Sequence, residues 1–71
     1  MKIEAMSRSG HDLVAEVTDQ TSVEDLAFIE NQFNELQAKG YQAFTRKGRR
    51  LDRFSTQIDD DIVFIAPLVG G

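Results

Sequence analysis

The chain has 71 residues, a net charge of −4 and no cysteine, with 41% hydrophobic and 28% charged residues. This is one small globular domain with a thin core, since only about 60% of the unfolded surface is buried at such a size. Disulfides, thiolate metal centres and a cysteine nucleophile are excluded, the single histidine cannot build a multi-histidine site, and the acidic balance argues against a general nucleic-acid binder.

The first stretch, MKIEAMS, alternates Ile3 and Ala5 against Lys2 and Glu4 and reads as a strand. A turn signal at Ser9-Gly10 follows. DLVAEVT then sets Leu13, Ala15 and Val17 against Val14 and Glu16, so the two runs read as a hairpin. The spacing of Leu26, Ile29, Phe33 and Leu36 places these residues on one stripe of a helix over about Ser22 to Lys39. Thr21 and Glu24 have capping-box spacing at its start, with Asp25 near the positive end of the dipole. Lys39 stands near the negative end, and Gly40 can take the left-handed stop.

After the helix, YQAFTR alternates Tyr41, Ala43 and Thr45 against Gln42 and Phe44, as a strand does. Lys47-Gly48 is a turn, and RRLDRF suits a short, charged edge strand. QIDDD reads as a turn whose neighbouring acids resist burial. IVFIA is a short, nearly continuous apolar run rich in β-branched residues, which suits a central strand.

The expected order is therefore strand, strand, helix, strand, short strand, strand. The helix must cover one face of the sheet to bury its stripe. With the last strand placed between its neighbours, the sheet is mixed. This α+β order resembles the β-grasp, or ubiquitin-like, fold: a mixed four- to five-stranded sheet packed on one helix. The expected division is a domain over residues 1–66 and a flexible tail over 67–71.

The close of the chain, DDDIVFIAPLVGG, resembles that of ubiquitin-like proteins and bacterial sulfur carriers, which pass from an acidic turn to an apolar strand and then to a short Gly-Gly tail. In those families an ATP-dependent adenylating enzyme activates the terminal carboxylate. The resemblance implies that Gly71 is the residue adenylated and attached. It also implies that Gly70, Val69, Leu68 and Pro67 thread the channel of the activating enzyme. Glycine lacks a Cβ, so the backbone can pass closely. Pro67 fixes its own φ and biases Ala66 toward an extended form. From Pro67 to Gly71 the extended reach is about 16 Å. The chain itself is then not an enzyme and binds no cofactor; ATP and Mg are used by the partner.

Two fates of the activated carboxylate agree with this tail. Transfer to an amine makes a protein modifier; attack by a sulfur donor makes a thiocarboxylate carrier for thiamin, molybdopterin or tRNA thiolation. The segment GYQAFTRKGRRLDRFSTQI is longer and more basic than in the carriers, and the helix is long for the thiamin carrier. The chain more closely resembles bacterial ubiquitin-like modifiers that work with dedicated activating, conjugating and deconjugating enzymes, some of them in defence against phage. The expected partners are thus an adenylating enzyme, a conjugating enzyme, a deconjugating peptidase and target proteins. A non-covalent interaction module that binds through its sheet face is a further alternative.

Arg46, Lys47, Arg49 and Arg50 form a basic cluster that can dock an acidic enzyme surface or simply keep an edge strand soluble. Phe28 lies off the apolar stripe and can anchor a partner or be partly covered by a neighbouring segment. Interleaved Phe44 and Phe54 could stack bases, but the net charge opposes a nucleic-acid partner. Asp59, Asp60 and Asp61 lack the alternation of a calcium loop and read as a solvated turn. His11 reads as a turn residue rather than as a base for Ser9. Lys2, Lys39 and Lys47 are the only lysines that could accept a second copy in a chain of modifiers. The opening MKIEAM has no apolar secretion core, and no run approaches the roughly 18 apolar residues of a membrane span. The expected location is the cytoplasm, with no membrane partner.

Overall fold

Helix α1 (Val23–Ala38) begins where a side chain can satisfy its first amides. In the computed structural model, which describes residues 1–7 and 10–67, that residue is Ser22. Its Oγ accepts the Asp25 N–H at 3.1 Å, so the cap sits one position later than the Thr21–Glu24 spacing suggests. Thr21 Oγ1 is occupied instead by the Thr18 N–H at 2.8 Å. At the other end Lys39 is the C-cap, and Gly40 turns the chain at φ +95°, a conformation that costs a residue with a Cβ about 1–2 kcal/mol.

The five strands follow the predicted order. They are β1 (Lys2–Ser7), β2 (Gly10–Glu16), β3 (Gln42–Thr45), β4 (Arg50–Leu51) and β5 (Ile62–Ile65). Among the described residues they form one mixed sheet in the order β2-β1-β5-β3-β4. β5 is central, parallel to β1 and antiparallel to β3. β2 and the two-residue β4 are the edges. With α1 packed on one face, this is the β-grasp arrangement.

The alternation of β1, β3 and β5 decides which side chains meet the helix. Ile3, Ala43, Ile62 and Phe64 are buried with Leu51, and Ile29 and Phe33 of α1 close over them. Leu26 and Leu36, the outer members of the helical stripe, are half-buried. Phe33 is 1% exposed, and its ring meets Phe64 edge-on with centroids 4.9 Å apart. Phe54, on the loop after β4, packs against the same ring at 6.2 Å. Each such fully buried side chain contributes roughly 1.5–3 kcal/mol.

One strand departs from simple alternation. Ile3 pairs with Ala15, but Glu4 pairs with Leu13, so the register shifts between them and Val14 is the additional residue. This bulge puts Ala15 with the core and leaves Leu13 60% exposed on the opposite face. The expectation that Leu13 and Ala15 share a face is thereby corrected. Among the described residues no helix is long and apolar enough to cross a membrane.

Candidate functional site

β5 leads directly to the tail. Beyond its last residue the Ala66 N–H still donates to the Met6 carbonyl at 3.0 Å, so the backbone stays bound to β1 as far as Ala66. Pro67 then lies against the turn that ends α1: a Cβ at Gly40 would stand 3.4 Å from both Cβ and Cγ of Pro67. Gly40 therefore serves two purposes. It reverses the chain after the helix, and its missing side chain leaves a seat for Pro67. A shallow cavity of about 350 Å³ opens here, lined by Gly40, Gln42, Ile65, Ala66 and Pro67. Leu68, Val69, Gly70 and Gly71 lie outside the described residues.

The basic cluster divides into two parts. Arg46 is committed to a network on the sheet face away from α1. Its guanidinium lies 3.6 Å from a Glu4 carboxylate oxygen and 3.4 Å from Asp61 Oδ2, and His11 Nε2 meets the other Glu4 oxygen. His11 is thus a β2 residue facing β1, not a turn residue. Lys47, Arg49, Arg50 and Arg53 are exposed, and among the described residues none of them forms an ion pair. The β3–β4 hairpin that carries Lys47, Arg49 and Arg50 is closed by hydrogen bonds across its turn. Thr45 N–H donates to the Arg49 carbonyl at 2.8 Å, Gly48 N–H to the Thr45 carbonyl at 2.9 Å, and Arg49 N–H to Thr45 Oγ1 at 3.0 Å. Gly48 holds φ +94° in this turn.

The three aspartates before β5 are not a merely solvated turn. Asp60 accepts the Lys47 N–H at 3.1 Å and the Asp61 N–H at 2.8 Å. Asp61 Oδ1 accepts the Lys2 N–H at 2.9 Å. That backbone hydrogen bond, helped by the Arg46 guanidinium, holds the Asp61 carboxyl below its ordinary range. These two side chains tie the β3–β4 hairpin and the first residues of β1 to the entrance of β5. Asp59 remains exposed.

Phe28 is 62% exposed on the outer face of α1, so neighbouring segments do not cover it. Phe54 is engaged with Phe33, which removes it from the pair considered for base stacking. The face of the sheet opposite α1 carries Met6, Leu13 and Ile65, all exposed, with Phe44 and Val63 half-buried between them. The Glu4–Arg46–Asp61 network escaped the sequence because its members lie on three separate segments. Its one local signal is the placement of Glu4 on the polar side of β1. Comparison with protein-family models, with curated proteins and with solved structures returns no match.

Proposed function

We propose that this chain is a ubiquitin-like protein modifier. A partner enzyme activates the Gly71 carboxylate, whether Gly71 is the last residue made or becomes so by cleavage. One carboxylate oxygen attacks the α-phosphorus of Mg-bound ATP. Pyrophosphate leaves, and the product is an acyl-adenylate. A thiol of a conjugating enzyme, or a target lysine amine, then attacks the carbonyl carbon and AMP leaves. The chain contributes no acid or base to these steps. It is the group transferred, and its folded part is the handle by which partner enzymes hold it.

The observation that carries this reading is the continuity of β5 with PLVGG. The central strand is held on both sides and at its end by the Ala66–Met6 hydrogen bond, and Pro67 is seated on Gly40. The sequence then runs through Leu68 and Val69 to two glycines without side chains, Gly70 and Gly71. A fixed base and a thin tip are what a narrow nucleotide channel requires, because Gly-Gly backbone can approach a ligand closely.

ATP–pyrophosphate exchange with the cognate adenylating enzyme tests the proposal. Removing Gly71 draws the carboxylate inward by about 3.3–3.6 Å, beyond the tolerance of an attack geometry. Gly70→Phe leaves the carboxylate in place but fills the channel. Both variants are expected to lose activation while keeping the wild-type melting temperature. Activation of the shortened chain at the wild-type rate sinks the reading. An oxygen-to-sulfur exchange at the terminus, seen by mass spectrometry of protein from its own host, would make the chain a sulfur carrier instead.

A further inference from the structure

The β3–β4 hairpin and the loop that follows β4 enclose an open cleft of about 610 Å³. Lys47, Arg49, Arg50 and Arg53 contribute four cationic side chains to its lining, with Leu51 and Ile58 as the apolar part. Three carboxylates, Asp52, Asp59 and Asp60, also line it. We infer that this cleft is a docking site for an acidic segment of a partner protein. The inference is independent of the fate of Gly71.

The cations are available and their frame is preorganised. None of the four has an ion-pair partner among the described residues, whereas the adjacent Arg46 has two. The hairpin wall is fixed by the Thr45–Arg49 hydrogen bonds and by the Lys47 N–H on Asp60. The loop wall is fixed by Phe54 on Phe33 and by the Gln37 side-chain amide on the Asp52 carbonyl at 3.1 Å. Asp60 has both carboxylate oxygens on backbone amides, so its charge is already partly answered. A frame that need not order itself on binding retains more of the attraction as affinity.

The carboxylates in the lining select the class of partner. A phosphate backbone carries closely spaced charge that no part of the ligand can avoid, and it would have to pass Asp52 and Asp59. A peptide spaces its carboxylates on side chains. It can direct them to the basic wall while presenting amide N–H groups to the aspartates. The net charge of −4 on the whole chain also opposes a polyanion, whereas a local acidic segment meets mainly the cleft.

The test titrates a blocked octaglutamate peptide into the intact protein and follows amide chemical shifts by NMR at low salt. Shifts are expected across Lys47–Arg53 and Ser55–Asp60, with affinity falling steeply as salt rises. Arg49→Glu combined with Arg53→Glu is expected to weaken binding by about tenfold or more. Lys39→Glu, an exposed charge on the helix end, is expected to leave the cleft response in place. Shifts elsewhere, no shifts, or equal losses from Lys39→Glu and the double reversal would each overturn the assignment. So would tighter binding of a single-stranded oligonucleotide of the same charge.

Discussion

Replacing Phe33 by alanine removes the side chain on which the two layers meet. Phe33 is 1% exposed, touches Phe64 edge-on at 4.9 Å and supports Phe54 at 6.2 Å. Truncating a buried phenylalanine costs about 3–5 kcal/mol, and loss of the two ring contacts places this site toward the upper half of that range. A domain of 71 residues, at roughly 0.05–0.15 kcal/mol per residue, has about 4–11 kcal/mol in all. The variant therefore sits near the edge of folding. With a urea slope of about 1–1.5 kcal/mol per molar, the midpoint should fall by about 2–5 M. Phe28→Ala on the same helix is the control: Phe28 is exposed, and surface changes stay within about 0.5 kcal/mol. Urea unfolding followed by circular dichroism compares the two. Equal midpoints for the two variants would show that α1 does not present Phe33 to the sheet.

Three further outcomes follow from the same structure. Gly40→Ala is expected to cost about 1–2 kcal/mol from its left-handed φ, and to shift the amide resonance of Ala66 because the new Cβ meets Pro67 at 3.4 Å; a variant with wild-type melting and spectrum refutes the double role. Asp61 is charged more readily in the folded state than in the unfolded one, so the folded chain binds fewer protons between its lowered pKa and the ordinary carboxylate value. Its contribution is thus full above the ordinary value and is lost as pH falls through the lowered one, and Asp61→Asn should show a shallower acid limb in urea unfolding from neutral pH to about pH 2; parallel limbs would remove Asp61 from the acid response. Glu4→Gln should weaken the Arg46 network by no more than about 1 kcal/mol, since the pair is largely exposed on the arginine side; a loss of several kcal/mol would show a deeper structural role for that carboxylate.

Much of the fold was legible along the chain because its causes are local. A stripe at helical spacing shows which face of α1 is apolar, and the alternation in β1 and β3 shows the same for two strands. Gly40 and Gly48 mark reversals that a Cβ resists. The apolar run Ile62–Ile65 reads as central because charge is absent from both its faces.

Other features depended on register and on partners distant in the chain. The bulge opposite Ile3 and Glu4 turned Leu13 away from the core, and a one-residue shift of this kind reverses faces without changing the local pattern. Asp61 reads as one of three solvated acids until β5 is set beside β1, which brings its carboxylate to Lys2 N–H across 59 positions. Arg46 belongs to the basic cluster in sequence but to Glu4 and Asp61 in space. Gly40 is a helix stop in sequence, yet only the approach of Pro67 shows why its open side also matters. Sequence by itself determined the apolar face of α1, those of β1 and β3, and where the chain reverses. Tertiary structure decided which charges are paired among the described residues and which are not, because pairing depends on distances that sheet order sets and sequence spacing does not.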